Sequence, residues 1–354
     1  MKKFLILILI FFSVKCYPQK KYSQSVFAIK FHYGSIVIHT PSVKNVAGAK
    51  PFGTELEYSK LPMDSVSFKK CNCFPRNGIA LSYFNFNSAI LGQGTMLSYF
   101  IEPSYNINKK IHFNLRGAAG LVYATKPFNE IKYPENKSYT THINPYLQVG
   151  LGLGFTLNTN IKMMIMANFQ HFSNGAYKEP NRGVNWATGS IGLLYYSKTT
   201  HLPYYTHVAA NKIINKKVYF DAGIFLVPKQ GFNSKIMAQS NLITGLFIQS
   251  TKQYGRISAL TGGLEYYYNA LKTQSYNISR FVAGLHAGHA FIMGRVIFSQ
   301  QAGYNFYATG LSGPKIYLRY GLLYRVSNHL LTGINLKAHA DNADFTDFRV
   351  MYRF

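Results

Sequence analysis

A histidine and a serine stand two residues apart in the stretch Gln170-His171-Phe172-Ser173-Asn174-Gly175-Ala176-Tyr177-Lys178-Glu179-Pro180-Asn181-Arg182-Gly183-Val184-Asn185-Trp186. On a β-strand, residues two apart share one face. An imidazole beside a serine hydroxyl takes its proton and makes the oxygen a nucleophile. A return strand beginning near Val184 brings Asn185 to the same rim, where its amide can hold the imidazole in the useful tautomer. A blander reading stands beside this one. Ser-Asn-Gly is an ordinary turn sequence, and a histidine at a membrane rim can sit among headgroups.

The strand feeding this stretch alternates cleanly. Ile161, Met163, Ile165, Ala167 and Phe169 form one face, and Lys162, Asn168 and Gln170 the other. Continuing the alternation places His171 and Ser173 on the apolar side. Asn185 joins Ala187, Gly189, Ile191 and Leu193 on the more apolar face of the return strand. Polar groups turned toward lipid are costly unless they have a task or a partner.

The same period recurs along the chain. Ile111, Phe113, Leu115, Leu121 and Tyr123 alternate with His112, Asn114 and Arg116; Ile316, Leu318, Tyr320, Leu322 and Tyr324 alternate with Arg319 and Arg325. The chain ends with Phe348, Val350, Tyr352 and Phe354 on one face. Short polar turns fall at 106–108, 158–160, 293–295 and 327–328, and longer loops at 127–138, 173–184, 229–239, 270–279 and 309–314. Short turns facing the periplasm and long loops facing outward are the habit of outer-membrane barrels. The expected fold is all-β: a transmembrane antiparallel β-barrel of about 14–16 strands. It would occupy 20–354 as one barrel. The link Ser197–Asn215 could instead separate two eight-stranded barrels, but one barrel is the simpler expectation.

Composition agrees with this. Met1-Lys2-Lys3 followed by an apolar run from Phe4 to Val14 has the shape of a secretory signal peptide over 1–19, cleaved near Cys16 or Gln19. Nothing else in the chain approaches the ~18 consecutive apolar residues of a membrane helix. Mean hydropathy is −0.04 and aromatic residues make up 16%, as alternating strands with aromatic girdles require. Lys and Arg number 38 against 12 acids, a net charge of +26, which favours polyanionic partners. For an exported barrel, phosphorylated lipid of the outer membrane fits that charge better than nucleic acid. Arg116, Arg256, Arg295, Arg319 and Arg325 are alternatively candidates to line an anion-selective channel. Cys71 and Cys73 read as structural thiols, free or bridged. No metal site or cofactor is expected.

The segment His171-Phe172-Ser173-Asn174-Gly175 with Pro180-Asn181-Arg182-Gly183-Val184-Asn185 resembles the outer-membrane lipid A 3-O-deacylases. The likeness is strongest to the longer acyloxyacyl hydrolases of Bacteroidetes-type bacteria. Leu91-Gly92-Gln93-Gly94, Phe100-Ile101-Glu102-Pro103 and Asn136–Asn144 look like those longer members too, so the resemblance covers about 30–200. It implies hydrolysis of an ester-linked acyl chain of lipopolysaccharide, with Ser173 as nucleophile and His171 as base. Asn181 and Gly175 would serve the oxyanion. The departure is Asn185, where the deacylases carry Glu; outer-membrane phospholipase A, which also has a His-x-Ser-Asn-Gly segment, uses Asn. A phospholipid is therefore the alternative substrate. Glu102, Asp221 and Glu265 fall on lumen faces, which leaves Glu179 as the reserve acid.

Overall fold

The computed structural model describes residues 23–198, 205–209, 214, 217–230, 240–269, 281–308, 315–339 and 342–354. The expected signal peptide, the loops at 270–279 and 309–314, and most of the loop at 229–239 and of the link 197–215 lie outside them. The first nine strands are β1 (Ser23–Ile36), β2 (Phe52–Pro62), β3 (Arg76–Asn85), β4 (Gln93–Glu102), β5 (Ser104–Asn106), β6 (Ile111–Ala124), β7 (Ile143–Thr156), β8 (Ile161–Phe172) and β9 (Val184–Tyr196). A second set follows: β10 (Val218–Gln230), β11 (Ser240–Gln253), β12 (Ser258–Asn269), β13 (Phe281–Met293), β14 (Val296–Ala308), β15 (Ile316–Arg325), β16 (Leu330–His339) and β17 (Asn342–Arg353). Pro103 has no N–H to give a ladder. It splits one strand into β4 and β5, both of which pair with β6.

The strands close into two barrels rather than the single one expected. β1 pairs with β9 and β4 with β6, which closes the first set. β10 pairs with β17, which closes the second. With β4 and β5 counted as one interrupted strand, the 16 strands among the described residues and their alternation are as read from the sequence; the partition is not. Period-2 patterning fixes which way each residue faces but is silent on which strand closes on which.

Each wall obeys one rule. Phe31, Leu56, Leu97, Val149, Ile165 and Ile191 of the first barrel, and Ile224, Leu246, Leu264 and Val350 of the second, are exposed on the outer surface. Charged and polar residues share the interiors with clusters of buried apolar side chains. In the first barrel Lys30 Nζ lies 2.6 Å from Glu57, Arg116 lies 2.7 Å from the same carboxylate, and Arg76 lies 2.7 Å from Glu102. In the second, Arg319 meets Asp347 at 2.7 Å, Lys337 meets Glu265 at 3.0 Å, and Arg353 meets Asp221 at 2.7 Å. Eight strands enclose an interior that side chains can fill. The expected row of lumen arginines is corrected accordingly. Arg116 and Arg319 are inside but paired with acids. Arg256 donates to Lys69 O, Arg325 donates to Gly294 O, and Arg295 is exposed on a turn.

At the short-turn end, helix α1 (Ser65–Cys71) is capped by Asp64, whose carboxylate accepts from Ser67 N–H at 2.9 Å. Cys71 and Cys73 are joined as a disulfide just beyond it. The link between the barrels docks on this segment. Tyr205 donates to Met63 O, its ring packs on Phe68 and Phe74, and Asn72 and Val208 exchange hydrogen bonds.

Candidate active site

β8 and β9 are joined by residues 173–183 at the long-loop rim of the first barrel. Their register sets Phe172 opposite Val184 and His171 opposite Asn185. Phe172, Val184 and Trp186 turn inward, into an apolar cluster with Phe84, Phe86, Leu91, Tyr139 and Tyr146. Burying those rings fixes the register, because a slip by one residue would turn all of them outward. His171, Ser173 and Asn185 must then point away from the lumen, on the face the sequence assigned them.

The three side chains form a line. His171 Nε2 is 3.1 Å from Ser173 Oγ, and His171 Nδ1 is 2.5 Å from Asn185 Oδ1. With Nδ1–H donating to the amide oxygen, the Nε2 lone pair is free to accept the serine proton.

The loop completes the surroundings. Asn181 Oδ1 accepts the backbone N–H of Asn174 at 2.9 Å, which anchors the Asn181 amide one residue from Ser173. Its Nδ2 is buried and has no partner among the described residues. A buried donor left unpaired costs about 1–3 kcal/mol. Glu179, the reserve acid, accepts from Asn181 N–H at 2.8 Å and is not a partner of His171. Gly175 has φ +64° and its α-carbon faces the second barrel, where any Cβ would collide with Thr346. Gly183 has φ +75°, and a Cβ there would sit 2.7 Å from His171 Cε1. Only glycine lets the backbone close over the imidazole at that point.

The neighbouring long loop braces this one. Arg182 N–H donates to Lys137 O at 3.2 Å and Gly183 N–H to Ser138 O at 2.7 Å, while Thr140 Oγ1 donates to Pro180 O. Tyr139, buried beneath, donates its hydroxyl to Leu91 O at 2.8 Å. The Leu91–Gly94 and Asn136–Asn144 stretches thus act as the frame of the 173–183 loop.

One neighbour escaped the sequence reading. His39, just past β1, has its Nδ1 2.9 Å from Asn185 Nδ2 and its Nε2 2.7 Å from Arg182 O. Nothing in the spacing signals it, for it lies 146 positions from Asn185. Among the described residues, no group of three or more His, Cys, Asp or Glu side chains is arranged to hold a metal ion.

Closed antiparallel barrels with apolar outer walls define an outer-membrane β-barrel protein, since closure alone satisfies every backbone group in lipid. Solved outer-membrane barrels are similar to the chain only at low scores. Neisserial surface protein A is 10% identical over 48% of this chain and 96% of its own, with a TM-score of 0.35. The β domain of the Bordetella autotransporter BrkA is 7% identical over 94% and 98%, with a TM-score of 0.25. The Pseudomonas putida toluene transporter TodX is 9% identical over 95% and 89%, with a TM-score of 0.17. Scores this low carry no inference. No curated protein sequence is a significant match.

Family models are more specific. One described as lipid A 3-O-deacylase (PagL) matches residues 72–194, and one described as the C-terminal domain of acyloxyacyl hydrolase matches 218–354. The chain belongs to the lipid A 3-O-deacylase family. It is an ester hydrolase of the bacterial outer membrane, and the family's activity is the deacylation of lipid A.

Proposed function

We propose that Ser173, His171 and Asn185 act as a catalytic triad that removes an ester-linked acyl chain from lipid A in the outer leaflet. The observation that carries this reading is the unbroken line Ser173 Oγ–His171–Asn185 on the outward face of the long-loop rim. Long loops face outside in such barrels, so a lipid of the outer leaflet reaches that rim laterally without entering the lumen.

The chemistry follows from the positions. Ser173 Oγ attacks the ester carbonyl as His171 Nε2 takes its proton. The carbonyl oxygen becomes an oxyanion, for which the unpaired Asn181 Nδ2 is the available donor. The intermediate collapses, and the sugar oxygen leaves with the proton held on His171. Water, deprotonated by the same imidazole, then cleaves the acyl-serine and frees the fatty acid. Asn185 keeps His171 in the tautomer that accepts at Nε2.

Charge supports a phosphorylated lipid. Six of the 12 acidic residues, Glu55, Glu57, Glu102, Asp221, Glu265 and Asp347, are buried inside the barrels with seven basic residues, Lys30, Arg76, Arg116, Arg319, Lys337, Arg349 and Arg353, so these interior groups nearly cancel and account for almost none of the net charge of +26. The amide at position 185 keeps a second reading open, phospholipase A action by the same residues. Lipid mass spectrometry of cells with and without the protein decides between them. Lipid A short of one hydroxyacyl chain supports the first reading. Lysophospholipid with intact lipid A replaces it by the second.

A further inference from the structure

An amide in the third position of a triad has a weakness that a carboxylate lacks. A carboxylate presents oxygen in either orientation. An asparagine flipped by half a turn presents NH2 to His171 Nδ1, which then has to accept. The proton moves to Nε2 and the imidazole can no longer take one from serine. A triad built on Asn185 therefore needs something to hold the amide one way round.

The structure holds such a device. Arg182 O is a backbone carbonyl and can only accept, so His39 Nε2, 2.7 Å away, carries a hydrogen and donates it. A neutral imidazole protonated at Nε2 has a bare Nδ1, which can only accept. Asn185 Nδ2, 2.9 Å away, donates to it. The Asn185 oxygen must then face the other way, toward His171 Nδ1 at 2.5 Å. Every step is dictated by the one before, from a main-chain carbonyl to the serine hydroxyl.

The placement of His39 is built into the barrel closure. β1 runs against β9 with Ile36 opposite Trp186. The ladder extends one step further, with Val37 N–H donating to Asn185 O at 2.8 Å. Two residues on comes His39, in contact with Asn185. It precedes the 72–194 region that the deacylase family model matches.

We propose that His39 is a positioning residue that locks the Asn185 amide in the orientation His171 requires. The proposal rests on the triad reading above. The test is an exchange of the third residue, using the full chain in detergent or lipid with purified lipopolysaccharide as substrate. In the native background His39→Ala is expected to lower kcat by about tenfold to a hundredfold, since a misoriented partner leaves the wrong tautomer, with KM nearly unchanged. His39→Gln, which keeps an acceptor and a donor, should recover part of the loss. In an Asn185→Asp or Asn185→Glu background, whose carboxylate has no wrong orientation, His39→Ala should have little effect. Full kcat in His39→Ala overturns the proposal. An equal loss in the amide and carboxylate backgrounds also overturns it, because His39 would then merely support the loop. Retained room-temperature resistance to SDS shows which variants are folded, and His39→Gln serves if the alanine variant is not. Ser173→Ala separates the two ideas: persistent acyl release in that variant removes the triad, whereas its loss alongside full activity of His39→Ala removes only the lock.

Discussion

Lys30, Arg76 and Arg116 meet Glu55, Glu57 and Glu102 inside the first barrel; Arg319, Lys337, Arg349 and Arg353 meet Asp221, Glu265 and Asp347 inside the second. Both interiors solve the same problem, filling an eight-stranded lumen with charges that satisfy one another. The rims differ. Apolar rings of the first barrel gather beneath its long loops, with Phe84, Phe86, Phe172 and Trp186 in mutual edge-to-face or tilted contact. That platform holds residues 173–183 in place. In the second barrel Phe225, Tyr267 and Phe345 instead enclose Arg319 and Lys337. Among the described residues, only the first barrel carries a serine hydroxyl hydrogen-bonded to an imidazole. The difference teaches that the wall is generic, and that what sets the first barrel apart is how one loop is supported.

The widest separation of the two barrels should come from Ser173→Ala. Acyl release from lipopolysaccharide is expected to fall by about 10⁴-fold while the protein stays folded. Release near the native rate would move the chemistry elsewhere, the second barrel included. Next comes the lumen. Arg116→Met strands buried carboxylates and should cost about 3–5 kcal/mol, whereas Arg319→Met should do the same only to the second barrel. Trp186 is the sole tryptophan and lies in the first barrel, so its fluorescence during urea unfolding in vesicles reads that barrel alone. Its midpoint should drop for Arg116→Met and hold for Arg319→Met. A shared drop would mean the barrels unfold as one unit. Asn181→Ala removes the proposed oxyanion donor, and kcat should fall by about 10²-fold with KM little changed; a change confined to KM would assign Asn181 to substrate binding instead. The smallest effect belongs to Thr346→Ala, which trims the second barrel where it faces Gly175. Activity should stay within about twofold. A loss as large as that of Asn181→Ala would make the second barrel part of the site rather than its neighbour.

The barrel class and the facing of His171, Ser173 and Asn185 were legible because alternation is a local property of the chain. Phe172 and Trp186 are as informative here as the polar residues, for their burial compels the others outward. Asn181 was legible only through resemblance, since a loop residue carries no periodicity. His39 was illegible for a topological reason. In a single large barrel, β1 would close against the C-terminal strand and His39 would stand far from Asn185. Closure of β1 on β9 brings them together, and the pattern within either strand is the same in both cases.

That closure has a consequence in time. Asn185 and Ser173 come from the last hairpin of the first barrel, and His39 from its first strand. The seam between β1 and β9 is the final joint of that cylinder in chain order. Before the seam closes, Ser173 and His171 are together on one hairpin but His39 is not beside the Asn185 amide. On the triad proposed above, closing that seam is the step that completes the site.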